Sequence, residues 1–158
     1  MLPETVALLA LVAPSRAKPA ARIKQALLAR IRTEGKIVPA APAGWRFESA
    51  KSPEGWLAAM PGIRFKPLSV DSVRDVALVL VELAPGAQFP DHPHEGCAEE
   101  FLILSGDILS GGRTLTAGDY YYAAENTEHT NVVSPSGCTA LLSIRAKVWE
   151  QFRASIAA

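Results

Sequence analysis

The run Val76–Leu83, VALVLVEL, constrains the rest of the chain more than any other stretch. It is apolar at both odd and even positions, so as a strand it needs cover on both faces and belongs in the middle of a sheet. Short runs of the same kind follow it at close spacing. Phe101–Leu104 ends at Gly106 and Asp107, which predict a turn. Ile108–Ser110 and Arg113–Thr116 flank Gly111 and Gly112, a hairpin signal. The tyrosines of AGDYYY, then His129–Val133, then Thr139–Arg145 give three more. Upstream, Trp45–Phe47 and Ile63–Leu68 also alternate, with Ile63 and Phe65 on one face and Arg64 and Lys66 on the other. Trp56, Leu57 and Met60 lie between these two and are placed to plug a barrel mouth. Many short strands punctuated by glycine predict an all-β barrel or jelly roll.

Helical periodicity is confined to the two ends. Thr5–Val12 and Pro19–Arg32 predict two helices, the second with Ile23, Leu27 and Ile31 at intervals of four and Gly35 as a stop. Residues 37–44, IVPAAPAG, predict a linker without regular structure. Lys147–Ile156, with Val148, Phe152 and Ile156 on one stripe, predicts a short closing helix. The expected organisation is a helical N-terminal arm over 1–36 and a single β-barrel over 37–158.

The chemistry concentrates in one place. The chain has three histidines, and all of them fall in PDHPHEGCAEE and ENTEHTNVV. His92 and His94 are two apart, so on extended backbone both imidazoles point to the same side. His129 supplies a third, and Glu95, Glu99 and Glu100 are all within reach as carboxylates. Three neutral imidazoles and one carboxylate suit a borderline divalent ion. Zinc ranks first, with iron, manganese or nickel as alternatives, because this donor set suits several metals and supply in the cell decides among them.

Gly86, five residues, His92, one residue, His94, four residues, Glu99, six residues and Gly106 together resemble the first motif of the cupin superfamily. Gly118 and His129 resemble the second, in which Ala124 and Asn126 replace a usual proline and glycine and Asn131 comes two residues after the histidine rather than four. The resemblance implies a double-stranded β-helix barrel and the ligand set His92, His94, Glu99 and His129. It narrows further. GIRFKPLSVD, LAPGAQFPDHPHEG, LSGDI, AGDYYY and SPSGCTALL are similar to the cupin domain of ChrR-type anti-sigma factors. The segment LLALVAPSRAKPAARIKQALLARI is similar to the one that joins that cupin to its sigma-binding zinc domain, whose ligands nothing before Leu11 supplies.

Composition excludes some partners. Lys+Arg and Asp+Glu are balanced at 16 each, which leaves no electrostatic footprint for nucleic acid. The apolar run Val6–Ala13 is too short to span a bilayer and has no basic region before it, so neither a membrane span nor a signal peptide is expected. Two cysteines, Cys97 and Cys138, without CxxC spacing, fit a reducing cytoplasm. A homodimer is expected from family habit and from the amphipathic arm.

Two functions follow from the resemblance. One is a regulatory or sensor module responding to an oxidant or a small molecule, with a protein as a further partner and Cys97 as its candidate redox group. The other is an iron-dependent dioxygenase of a small molecule such as a diketone. Phe101, Ile103, Tyr120, Tyr122 and Asn131 are the candidate pocket residues.

Overall fold

The structure, a computed structural model, describes residues 21–33 and 40–156. Its contacts divide the chain between Arg46 and Phe47 into two units. In the first, helix α1 spans Ala21–Thr33, and its Ile23, Leu27 and Leu28 are exposed. The helix expected over 5–12 lies outside the described residues. From Ala40 the linker has neither helix nor strand, as its prolines dictate. Trp45–Phe47 is not a strand; the chain turns just before it, where the Trp45 N–H bonds back to the Pro42 carbonyl. No helix among the described residues is long and apolar enough to cross a membrane.

The second unit is built of antiparallel strands. They are β1 (Leu57–Met60), β2 (Ile63–Asp71), β3 (Val76–Leu83), β4 (Gln88–Phe89), β5 (His92–Pro93) and β6 (Glu99–Ser110). Then come β7 (Arg113–Thr116), β8 (Tyr120–Ala123), β9 (Glu128–His129), β10 (Val132–Val133), β11 (Cys138–Ile144) and the closing helix α2 (Ala146–Ile156). The main sheet runs β1-β2-β3-β11-β6-β10-β4, with β7 and β8 also paired to β6, and β5 and β9 pair with each other. The expected all-β jelly-roll class is the one observed.

β3 is interior to the sheet, between β2 and β11, as expected, but its outer face is covered only in part, with Val76 and Leu78 exposed and Leu80 buried. Ala77, Val79 and Val81 are fully buried on its inner face. β2 carries a bulge at Pro67, which has no N–H to give the ladder, and its register against β3 shifts between Pro67 and Ser69. Lys66 belongs to the outward-facing set but is buried, its ammonium held by the Ser49 and Glu54 carbonyls at 2.8 Å each. Those bonds fasten residues 49–54 over the sheet. Trp56 lies outside the barrel mouth it was expected to plug, under the Arg64 guanidinium at 4.4 Å.

β6 positions the site. The turn expected at Gly106 and Asp107 does not form; the strand continues through both and changes partners there. Its first half lies between β8 and β11, and its second half between β7 and β10. Gly106 permits this, with φ at +77° and a backbone so close to Gly137 that any Cβ would collide with the Gly137 carbonyl. Asn131, at φ +54°, likewise splits the single strand expected over 129–133 into β9 and β10. The inner face of β6 joins Phe101, Ile103 and Ile108 to a core that includes Phe65, Leu83 and Trp149.

Candidate metal centre

The β5–β9 pairing sets His92 directly opposite His129. His94 follows one residue after β5, and its backbone is pinned twice to the neighbouring loop. Its N–H donates to the Thr127 carbonyl at 2.8 Å, and its carbonyl accepts from the Asn126 N–H at 2.9 Å. Asn126 stands at φ +65°, in the left-handed region that asparagine tolerates better than most residues, so it can fill a position where the cupin motif usually has glycine. Asp91 ties the two ligand segments together by accepting from the Asn131 N–H at 2.8 Å. Glu99 enters from the start of β6.

These elements bring His92, His94, Glu99 and His129 together, one donor atom from each lying within 4.8 Å of the others. The hydrogen bonds fix which imidazole nitrogen faces inward. Thr127 Oγ1 donates its proton to the Ala124 carbonyl at 2.6 Å, so toward His94 Nδ1, at 2.8 Å, it can only accept. His94 therefore carries its proton on Nδ1 and presents a bare Nε2. That Nε2 is buried and has no hydrogen-bond partner. His92 Nδ1 faces the Pro90 carbonyl at 2.9 Å, which again puts the proton on Nδ1. His129 Nδ1 lies 3.3 Å from Ser110 Oγ, while its Nε2 is 3.0 Å from Glu99 Oε1. A partnerless buried lone pair beside a carboxylate and two further imidazoles is the arrangement a divalent cation satisfies.

The electrostatics agree. Burial pushes the His94 pKa down, and the neighbouring His129 and His92 push the same way against the pull of Glu99. That keeps its lone pair free. Burial works to raise the Glu99 pKa, but hydrogen bonds from His129 and Tyr121 and the nearby imidazoles outweigh it and hold the carboxyl below its usual range. Burial, followed by the Glu99 charge, raises the Tyr121 pKa, so the phenol stays protonated and donates to Glu99 Oε1 at 2.7 Å. It also lies 3.1 Å from His129 Nε2.

The donors line a cavity of about 290 Å³ that runs inward to Phe65 and Trp149. Among the sequence-predicted pocket residues, Phe101 lines it and Ile103 is buried in the core away from it. Tyr120 and Tyr122 point outward and stand 54% and 60% exposed, a correction that the strand register explains. Tyr121 pairs opposite Phe101 and shares its inward face, so the tyrosines on either side must face out. Asn131 is an exposed turn residue and does not line the cavity either. Cys97 does line it, with its thiol donating to the Ala98 carbonyl and accepting from the Arg145 N–H. Cys138 lies near Gly106, and burial, then Asp107, pushes its thiol up to about 11. Sequence reasoning missed Tyr121, Thr127 and the aromatic wall. Three consecutive tyrosines give no parity signal until their partner strand is known.

Residues 49–147 match the profile of the ChrR cupin-like domain. The chain belongs to this cupin family. Solved cupins share its fold. An RmlC-like cupin from Shewanella frigidimarina NCIMB 400 is 19% identical, with 65% of this chain and 91% of that one covered at a TM-score of 0.55. An acetylacetone dioxygenase from Acinetobacter johnsonii is 15% identical, with 66% and 77% covered and the same TM-score. No curated protein matches the chain. The residues of this ChrR-like cupin fit a divalent metal by donor type, by burial and, at His92 and His94, by tautomer.

Proposed function

We propose that this chain is a metal-centred sensor module, in which His92, His94, Glu99 and His129 hold one divalent transition metal and a small molecule entering the cavity binds beside it. The observation that carries this reading is the coupling of the ligand loop to the helix that closes the cavity. Arg145, the residue before α2, donates from Nη1 to the Gly96 carbonyl at 3.0 Å and from its backbone N–H to Cys97 Sγ at 3.4 Å. Its Nε is paired with Asp75 at 2.6 Å, and Asp75 also accepts from the Lys147 N–H. Val148, Trp149 and Phe152 of that helix form part of the cavity wall. A ligand seated against them therefore acts on the same helix that steadies the loop carrying His94 and Cys97. An oxidant acting at Cys97 would enter at the same junction.

A bound divalent ion would supply Lewis acidity and an anchor for an oxygen donor. The protein's own part is to orient three imidazoles through Thr127, Pro90 and Ser110, to keep the Tyr121 O–H directed at Glu99, and to exclude water with apolar walls. Tyr121 favours a second reading, a metal-dependent oxygenase. Its protonated phenol is a hydrogen-bond donor beside the donor cluster, and a fold neighbour is an acetylacetone dioxygenase.

Elemental analysis of the purified protein, followed by anaerobic ferrous loading and oxygen uptake with small diketones, separates the two. Near-stoichiometric metal without turnover is the expected result. Iron-dependent oxygen uptake would move the assignment to the enzyme. His94→Ala and His129→Ala should each lose metal by more than the roughly 10–100-fold that loss of a supporting partner causes. Wild-type stoichiometry in both would refute the ligand set.

A further inference from the structure

The walls of the cavity restrict what can sit beside the metal. Its polar side chains are the four donors, Tyr121, Glu95 and Cys97, and the rest of its wall is apolar, with Phe65, Phe89, Trp149 and Phe152 forming an aromatic end. Phe65 is the hub of that end. Its ring lies 5.8 Å from Phe89, 6.1 Å from Trp149 and 5.0 Å from Phe152, and the Phe89 ring is in turn 5.9 Å from that of His92. An unbroken run of ring faces and edges thus leads from a metal donor to the closing helix.

Charge restricts the other end of the ligand. No lysine or arginine is among the described residues that line the cavity, and Glu95 is the one charged side chain besides Glu99. A divalent ion with one carboxylate and three neutral imidazoles has a net charge of about +1 (+2 − 1). That neutralises one anionic group and leaves nothing to balance a second, and the exposed Glu95 repels it. Sugar acids and dicarboxylates would also bring hydroxyls or charges against walls that offer them no partner, a burial that carries a large penalty.

We propose that the cavity takes a small mono-anionic oxygen chelator bearing one apolar, ring-sized body, with the chelating oxygens toward His92, His94, Glu99 and His129 and the body among Phe65, Phe89, Trp149 and Phe152. This rests on the metal reading above and names the class of ligand for it. The size suits a small ligand: about 290 Å³ is just under the range of drug-sized ligand sites, about 300 to 1,000 Å³.

The test loads the full chain with cobalt(II), quantifies the metal, and titrates two chelators with the same head by calorimetry. Acetohydroxamate offers the head alone, and benzohydroxamate adds the ring. Burying the ring should tighten binding by about 10- to 100-fold. Val148→Phe, which fills the cavity from α2, should bring the two affinities to within about threefold while cobalt stoichiometry is unchanged. Should that variant fail to fold, the wild-type pair decides alone. Equal affinities on the cobalt-loaded protein, or tighter binding of the dianion malonate than of benzohydroxamate, would overturn the ligand class and leave the metal reading standing. Failure to take up cobalt would overturn both.

Discussion

The two ends of the cavity are held by different physics. At the donor end, β5 and β9 have two residues each and His94 lies on a loop, so position comes from single hydrogen bonds such as Thr127 to His94 and Asp91 to Asn131. At the aromatic end, long strands and a helix bury Phe65 and Trp149 almost completely, and position comes from area. Directional bonds can be removed one at a time with little loss of fold, whereas a large side chain cannot. The site and the stability of this cupin should therefore be separable by mutation.

The largest effect tests the aromatic end. Trp149→Ala should cost about 3–5 kcal/mol in urea denaturation, with the folded fraction still binding metal at full stoichiometry. Joint loss of stability and metal stoichiometry would break the contrast. Next is the donor end: Thr127→Val removes the acceptor that fixes the His94 tautomer, and should weaken metal binding by about 10–100-fold in a competitive chelator titration. Because Thr127 is exposed, its unfolding free energy should move by less than about 1 kcal/mol. A larger loss of stability than of affinity would show that this loop is part of the core.

The smallest effect sharpens the comparison through pH. The His94 pKa is lowered from its ordinary 6.5, so folding favours the neutral ring; the associated stability is present above pH 6.5 and lost as pH falls through the lowered value. Glu99, lowered from 4.5, adds stability present above pH 4.5 that is lost as pH falls through its own lowered value. Metal-free protein should thus weaken in two acid steps, and Trp149→Ala should show the same profile offset downward. A flat stability from pH 7.5 to 5 would contradict the His94 environment.

What the sequence could convey follows from which interactions are local. His92 and His94 are two apart, so a single pleat aligns them, and the apolar faces of VALVLVEL demand an interior strand whatever their partners. Tyr121 depended on its register against Phe101, twenty residues earlier, which no local pattern specifies. Gly106 read as a turn because glycine usually marks one, whereas here it answers the approach of Gly137 from a distant part of the chain. Val148 and Phe152 were visible as a helical stripe, but that they wall the cavity beside the histidines needed the fold.

The course of β6 carries one more consequence. Its first residue, Glu99, meets Nε2 of His129, and its last, Ser110, meets Nδ1 of the same ring. Twelve residues drawn straight would separate those ends by about 36 Å, so one imidazole acts as the clasp of a curled strand. The curling of the sheet brings the two ends together. A chain still being assembled has no such clasp to offer, so an ion taken up at this site would bind the finished fold.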